Sequence, residues 1–304
     1  MALQKRVVRY LFDRFPSHDT EKARRALDGA APATDEERQR WRRRHAEQAY
    51  AEEKALNSFA WVPADALRGK HVLDLGCDVG GRSTAWSEIF GFGGLYGVET
   101  TPAATAAAHA FAAAKGIVAD FRVGRAEELP FEDATLDAIV SNDVLEHVRS
   151  PERTLEECAR VLKPGGLAVL RFPPRLHPFE SHLGHVANPF VPFHWFFSAG
   201  AIREAYCEAV VERGVFPTCS CESWEWLPTL NGISVRTFRR LVRTQGWEIV
   251  HWEPFSYPRR RWPAVRAVLR RLAVLPVAEE ILLNRISVIL RRPEDVPSAM
   301  EAAR

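Results

Sequence analysis

The segment VLDLGCDVGG, residues 72–81, has the residue types to hold a polar ligand against bare backbone. Gly76 and Gly80 permit a tight turn whose N–H groups can approach a ligand closely. Asp74, just ahead of the turn, can accept a hydrogen bond from an ammonium. Nineteen residues beyond Gly80, Glu99 is placed to accept both hydroxyls of a ribose. A glycine turn alone is a weak signal, and the acidic residue at the end of the next strand is what strengthens it.

Two further clusters could carry proton chemistry. Asp143, Glu146 and His147 form a D-x-x-E-H block that offers a base or, on another reading, a cation site. We read it as a turn-stabilising Glu-His pair and expect no bound metal. Between residues 177 and 194 stand His177, His182, His185 and His194, with Glu180 among them. Their spacing does not match the H-E-x-x-H zinc helix, and Pro178, Gly184 and Pro189 argue against any regular helix. His182 and His185 bracket a Leu-Gly turn and are the preferred candidates for a base or orienting group, with His147 as the third. His194 precedes Trp195, Phe196 and Phe197 and is expected to be buried among them, in a small core shared with Trp224 and Trp226.

The elements that must position these residues alternate from Lys70 onward. Apolar strands are expected at 71–75, 94–99, 121–123, 136–141 and 167–172. Helices fall between them, one from about Ser83 to Phe90 and one opened by Thr101-Pro102 and closed at Lys115-Gly116. A third starts at Ser150-Pro151 and ends at Lys163-Pro164-Gly165-Gly166. Such alternation implies a parallel, doubly wound α/β sheet of seven strands, completed by a helix at 234–244 and strands at 247–252 and 286–290. The expected organisation is an N-terminal helical cover (1–58), a cofactor-binding core (59–172), an inserted cap (173–233) and the completion of the sheet (234–304). Within the cover, residues 35–58 read as a solvated helix.

Composition narrows the function classes. The formal net charge is only +2 over 304 residues, which gives no global basic field for nucleic acid. The arginine-rich stretch 259–272 reads as an amphipathic helix with Trp262, Val265, Leu269 and Leu272 on one face. No run of eighteen apolar residues suggests a membrane span, and the five scattered cysteines fit a reducing cytoplasm. A homo-oligomer is left open.

Taken in order, VLDLGCDVGG, RAEELPFEDATLDAIVSNDVLEHV (125–148) and RVLKPGG (160–166) resemble the core of the class I (Rossmann-like) S-adenosylmethionine-dependent methyltransferases. The spacing differs from the G-x-G-x-x-G of nicotinamide-binding dehydrogenases. The resemblance implies that Asp74, Gly76 and Gly80 border the methionine end of S-adenosylmethionine, and that Glu99, with Thr100 beside it, holds the ribose. Ala126 and Glu127 would flank the adenine, and Ser141, Asn142 and Asp143 would close the site near the sulfonium. Asp78 stands where the family usually has a second glycine, and Arg125 where an acidic residue often meets the adenine amine. The 143–147 block also resembles the D/E-x-x-E-H of the ubiquinone O-methyltransferases. The implied activity is methylation of a small organic molecule on oxygen. Methylation at carbon or nitrogen, or RNA binding through the 259–271 arginines, stands as the alternative.

Overall fold

The computed structural model describes residues 2–15, 34–176, 183, 187, 191–212, 231–256, 279–281 and 283–294. In chain order the named elements begin with helices α1 (Ala2–Arg14) and α2 (Asp35–Leu56). The alternating part runs β1 (His71–Leu75), α3 (Gly81–Phe90), β2 (Gly94–Glu99), α4 (Pro102–Ala114), β3 (Ala119–Val123), β4 (Leu136–Asn142), α5 (Pro151–Val161) and β5 (Leu162–Phe172). Then come α6 (Phe193–Phe196), α7 (Ala199–Glu212), α8 (Val235–Thr244), β6 (Glu248–Ser256) and β7 (Leu283–Arg291).

The seven strands form one sheet in the order β3-β2-β1-β4-β5-β7-β6. Strands β1 to β5 are mutually parallel, as the alternation predicts. β7 is not: it runs antiparallel beside β5, with Phe172 opposite Ile286 and Leu167 opposite Arg291. An apolar run such as Ile286–Leu290 reads the same in both directions, so its own residues do not set its direction. The chain winds from β1 outward to β3, then returns to place β4 on the other side of β1. That reversal opens a crevice at the carboxyl ends of β1 and β4.

One local expectation needs correction. Lys163–Gly166 does not end a helix but lies within β5: pairing jumps from Leu136↔Leu162 to Ala138↔Leu167, with Gly165 at φ 72° in the excursion. Thr101 occupies the N-cap position of α4 without its side chain accepting a hydrogen bond. Its carbonyl instead takes the Thr105 N–H and hydroxyl. Ser150 does cap α5, accepting the Arg153 N–H at 3.1 Å.

By their internal contacts the residues divide into two units, one of Met1–Arg38, Pro173–Val235 and Ser256–Asn284, the other of Gln39–Phe172, Arg236–Phe255 and Arg285–Arg304. In the first, α1 lays Val8 and Phe12 against Phe193 and α7, and Lys5 pairs with Glu208 at 2.8 Å and Arg9 with Glu212. The expected aromatic core is only partly right. Phe193 is the buried ring, while Trp195 and Phe196 are 40% and 70% exposed and His194 is half-buried. A single helical turn can turn only one of four successive side chains fully inward. Trp224 and Trp226 lie outside the described residues.

The second unit holds the sheet. One face packs Val72, Ala138, Val140, Val169 and Ile289 on Phe59, Trp86 and Phe90. α2, read as solvated, is anchored there by Glu53, which is 4% exposed. Its carboxylate accepts from the Trp86 indole N–H at 2.9 Å and from the Ser58 hydroxyl at 2.6 Å and N–H at 2.8 Å. Removing that acceptor would leave buried donors unmade, at about 1–3 kcal/mol.

Candidate active site

The turn after β1 is held by strand-to-loop hydrogen bonds: the Gly76 and Cys77 N–H groups donate to the Val98 carbonyl at 2.9 and 3.1 Å. Gly76 has φ 80°, and a Cβ there would stand 2.4 Å from Val144 Cγ2. Gly80, at φ 77°, leads into α3, and a Cβ on it would lie 2.8 Å from the Ala108 backbone. Glycine is therefore required at both positions by backbone conformation and by space. Asp78 adopts φ 48°, so the turn keeps its left-handed residue without the family's glycine.

Around this turn a pocket is lined by His45, Ala49, Asp74, Gly76, Cys77, Asp78, Gly81, Arg82, Trp86 and Asn142. Asp74 is 3% exposed, and burial pushes its carboxyl up to about 7 against the opposing pull of the Ser83 hydroxyl, which donates to Oδ2 at 2.5 Å. A buried carboxyl poised in this way gains most from a cation brought against it. Glu99, at the end of β2, takes three donors of its own chain: the Thr100 N–H and hydroxyl on Oε1 at 2.7 and 2.9 Å, and the Asp78 N–H on Oε2 at 3.1 Å. Oε2 therefore has a free lone pair for one ribose hydroxyl. A second needs Thr100 Oγ1 to rotate away.

The remaining site residues are distributed as follows. Ala126 is buried, and the Glu127 carboxylate accepts the Arg149 N–H at 2.6 Å and the Ser150 N–H at 3.4 Å. Asn142 is buried at the end of β4, with Arg171 Nη1 donating to its Oδ1 at 2.8 Å. Asp143 follows at φ 59°, its N–H on the Arg171 carbonyl at 2.7 Å. Ser141 turns its hydroxyl to the Leu75 carbonyl at 3.3 Å. His147 lies 3.7 Å from the buried Glu146 carboxylate, and among the described residues no three His, Cys, Asp or Glu side chains converge as a metal site. His177, Glu180, His182 and His185 lie outside the described residues.

Several lining residues escaped the sequence reading. His45, on α2, stands 2.9 Å from Asp78 Oδ2 and stacks on Trp41. Nothing in a charge-rich helix marks that one histidine. Arg171, which is not part of that lining but donates to Asn142, did carry a signal, being a lone charge inside the apolar run LAVLRF.

The donor set fits a nucleoside-bearing amino acid: a buried carboxyl for an ammonium, bare turn backbone, and a strand-end carboxylate with a vacant lone pair. A sequence profile described as a methyltransferase domain matches residues 73–170. An uncharacterized methyltransferase of Mycobacteroides abscessus is 36% identical over 238 residues, 76% of this chain and 80% of that one. The norajmaline N-methyltransferase of Rauvolfia serpentina is 24% identical over 73% of this chain and 75% of its own length. The ubiquinone biosynthesis O-methyltransferase of Rhizobium etli is 32% identical over 39% of this chain, but the match spans only 48% of that enzyme. Among solved structures, a putative methyltransferase from Haloferax volcanii, crystallised with its Trm112 activator, aligns with TM-score 0.50 at 19% identity over 83% of this chain and 94% of its own. It shares the fold.

The chain belongs to the class I S-adenosylmethionine-dependent methyltransferases. It is an enzyme, and S-adenosylmethionine is its cofactor.

Proposed function

We propose that this enzyme methylates an oxygen atom of a small organic molecule in the cytoplasm. The support for oxygen is the 32% identity to the ubiquinone biosynthesis O-methyltransferase, over a third of the chain. When bound, the cofactor supplies an electrophilic methyl group.

The chain's own residues would hold it as the pocket suggests. Asp74 takes the ammonium, Gly76 and Gly80 admit backbone contact, and Glu99 with Thr100 grips the ribose. Ala126 and Glu127 border the adenine, and Asn142 and Asp143 close the sulfonium end. Methyl transfer is an in-line displacement, so the protein's part is alignment and removal of the acceptor's proton. His182 and His185 are the first candidates for that base. His147 is the third, 3.7 Å from the Glu146 carboxylate.

A second reading, N-methylation, has its own support in the likeness to the norajmaline enzyme over 73% of this chain and 75% of that one. Incubation with methyl-labelled cofactor and matched phenols, enols and amines, with product positions read by NMR, decides between them. Methyl ethers are expected, and a methylamine from the preferred acceptor overturns the reading. His182→Ala or His185→Ala should lower turnover by about two to four powers of ten while leaving cofactor affinity unchanged. If neither does, the base, if there is one, is to be sought at His147 or on the N-terminal cover.

A further inference from the structure

We propose that the outer face of α1, with the exposed rings of α6 beside it, is a docking surface for an anionic lipid bilayer. The surface belongs to the first unit alone and is independent of which atom the enzyme methylates.

α1 is a two-sided helix. Lys5, Val8, Arg9 and Phe12 form its packed side: Val8 and Phe12 are buried with Phe193 and α7, and Lys5 and Arg9 pair with Glu208 and Glu212. Leu3, Val7, Tyr10 and Arg14 recur every three or four residues along the opposite side. There Leu3 is 75% exposed, Tyr10 66% and Val7 39%. Single exposed apolar residues are ordinary. A row of them at helical spacing, behind a face that is already packed, is a second apolar face that the fold leaves to solvent.

α6 flanks this face. Its Phe193 ring meets Phe12 edge-on at 5.1 Å between centroids. Ser198, just past the turn, donates its N–H and hydroxyl to Gln4 Oε1 at 3.3 and 3.0 Å. Gln4 stands about 100° round the helix from Leu3 and about 60° from Val7, so this contact lies at the edge of the outer face. Trp195 and Phe196, both exposed, add their rings to the same region.

The charges select the occupant. α1 carries Lys5, Arg6, Arg9 and Arg14 against a single acid, Asp13. Lys5 and Arg9 are taken up by the α7 carboxylates, so Arg6 and Arg14 are the exposed cations, Arg14 within the apolar row itself. A second copy of the chain laid on this face would desolvate the Arg14 guanidinium against apolar side chains, with no counter-charge on the row. A bilayer interface has no such conflict. Tyrosine and tryptophan rings sit at headgroup level, the aliphatic side chains enter the acyl boundary, and arginine extends along its stem to the lipid phosphates. Anionic lipids add an attraction that both arginines meet.

The test is binding of the full chain to vesicles of phosphatidylcholine alone and of phosphatidylcholine mixed with phosphatidylserine, read by flotation at low and high salt. The protein should bind the phosphatidylserine vesicles, come off them at high salt, and bind phosphatidylcholine about tenfold more weakly. Arg6→Gln and Arg14→Gln should each lower binding to the phosphatidylserine vesicles about fivefold, and Tyr10→Glu or Phe196→Glu about tenfold. Val118→Glu, at a fully exposed site of the second unit, should leave binding unchanged. Unchanged melting temperature and S-adenosylhomocysteine affinity show that each variant is folded. Absence of binding to phosphatidylserine vesicles overturns the proposal, as does binding that the α1 and α6 substitutions do not weaken. Self-association in sedimentation that Tyr10→Glu abolishes would assign the face to a second copy and overturn it as well.

Discussion

Asp74→Asn separates what the site costs the fold from what it gives the ligand. In the unfolded chain this carboxyl titrates at its ordinary value of 3.8, whereas in the folded protein burial raises it to about 7. Between those values the folded state holds a proton that the unfolded state has lost, so stability falls as pH rises through this window and levels off above about 7. About three pKa units at 1.36 kcal/mol each give a penalty of about 4 kcal/mol at pH 8, as an upper figure. Asparagine is isosteric, cannot ionise, and still offers an oxygen to the Ser83 hydroxyl. In urea titrations without ligand, the variant should be more stable than the parent at about pH 8, by up to about 4 kcal/mol. The difference should shrink to less than half near pH 5. S-adenosylhomocysteine should stabilise the parent and barely move the variant, since the ammonium's partner is gone. A variant no more stable than the parent at pH 8, or a difference that does not change with pH, would refute the reasoning.

Glu99→Ala removes the acceptor of three donors and should weaken S-adenosylhomocysteine binding by about 1–3 kcal/mol, as read by calorimetry. No binding by the parent would itself defeat the assignment of these residues. Gly76→Ala forces a side chain to within 2.4 Å of Val144 at φ 80° and should abolish cofactor binding, checked by thermal shift with and without ligand. Turnover should survive exhaustive chelation. Loss of activity restored by magnesium would instead make Asp143, Glu146 and His147 cation ligands.

Much of this protein is written in local pattern. The strands β1 and β2 fall where their apolar runs place them, and Asp74, Gly76, Gly80 and Glu99 are legible because a glycine turn works only at fixed distances from its two strands. Asp78 could be read in advance as a left-handed residue because its conformational tolerance is intrinsic. What no local pattern determined is direction and partnership. β7 runs antiparallel to β5, a sense that its own apolar composition does not carry. Glu53 and His45 sit in a helix whose charges all look alike, and become a buried anchor and a pocket wall only when α2 meets Trp86 and Asp78. Arg171 is a charge in an apolar strand, yet its neighbours Asn142 and Asp143 come from the end of β4 and Arg285 from β7, two other segments of the chain. Backbone conformation depends on neighbours in sequence. Desolvation and charge pairing depend on neighbours in space, and only the folded sheet supplies those.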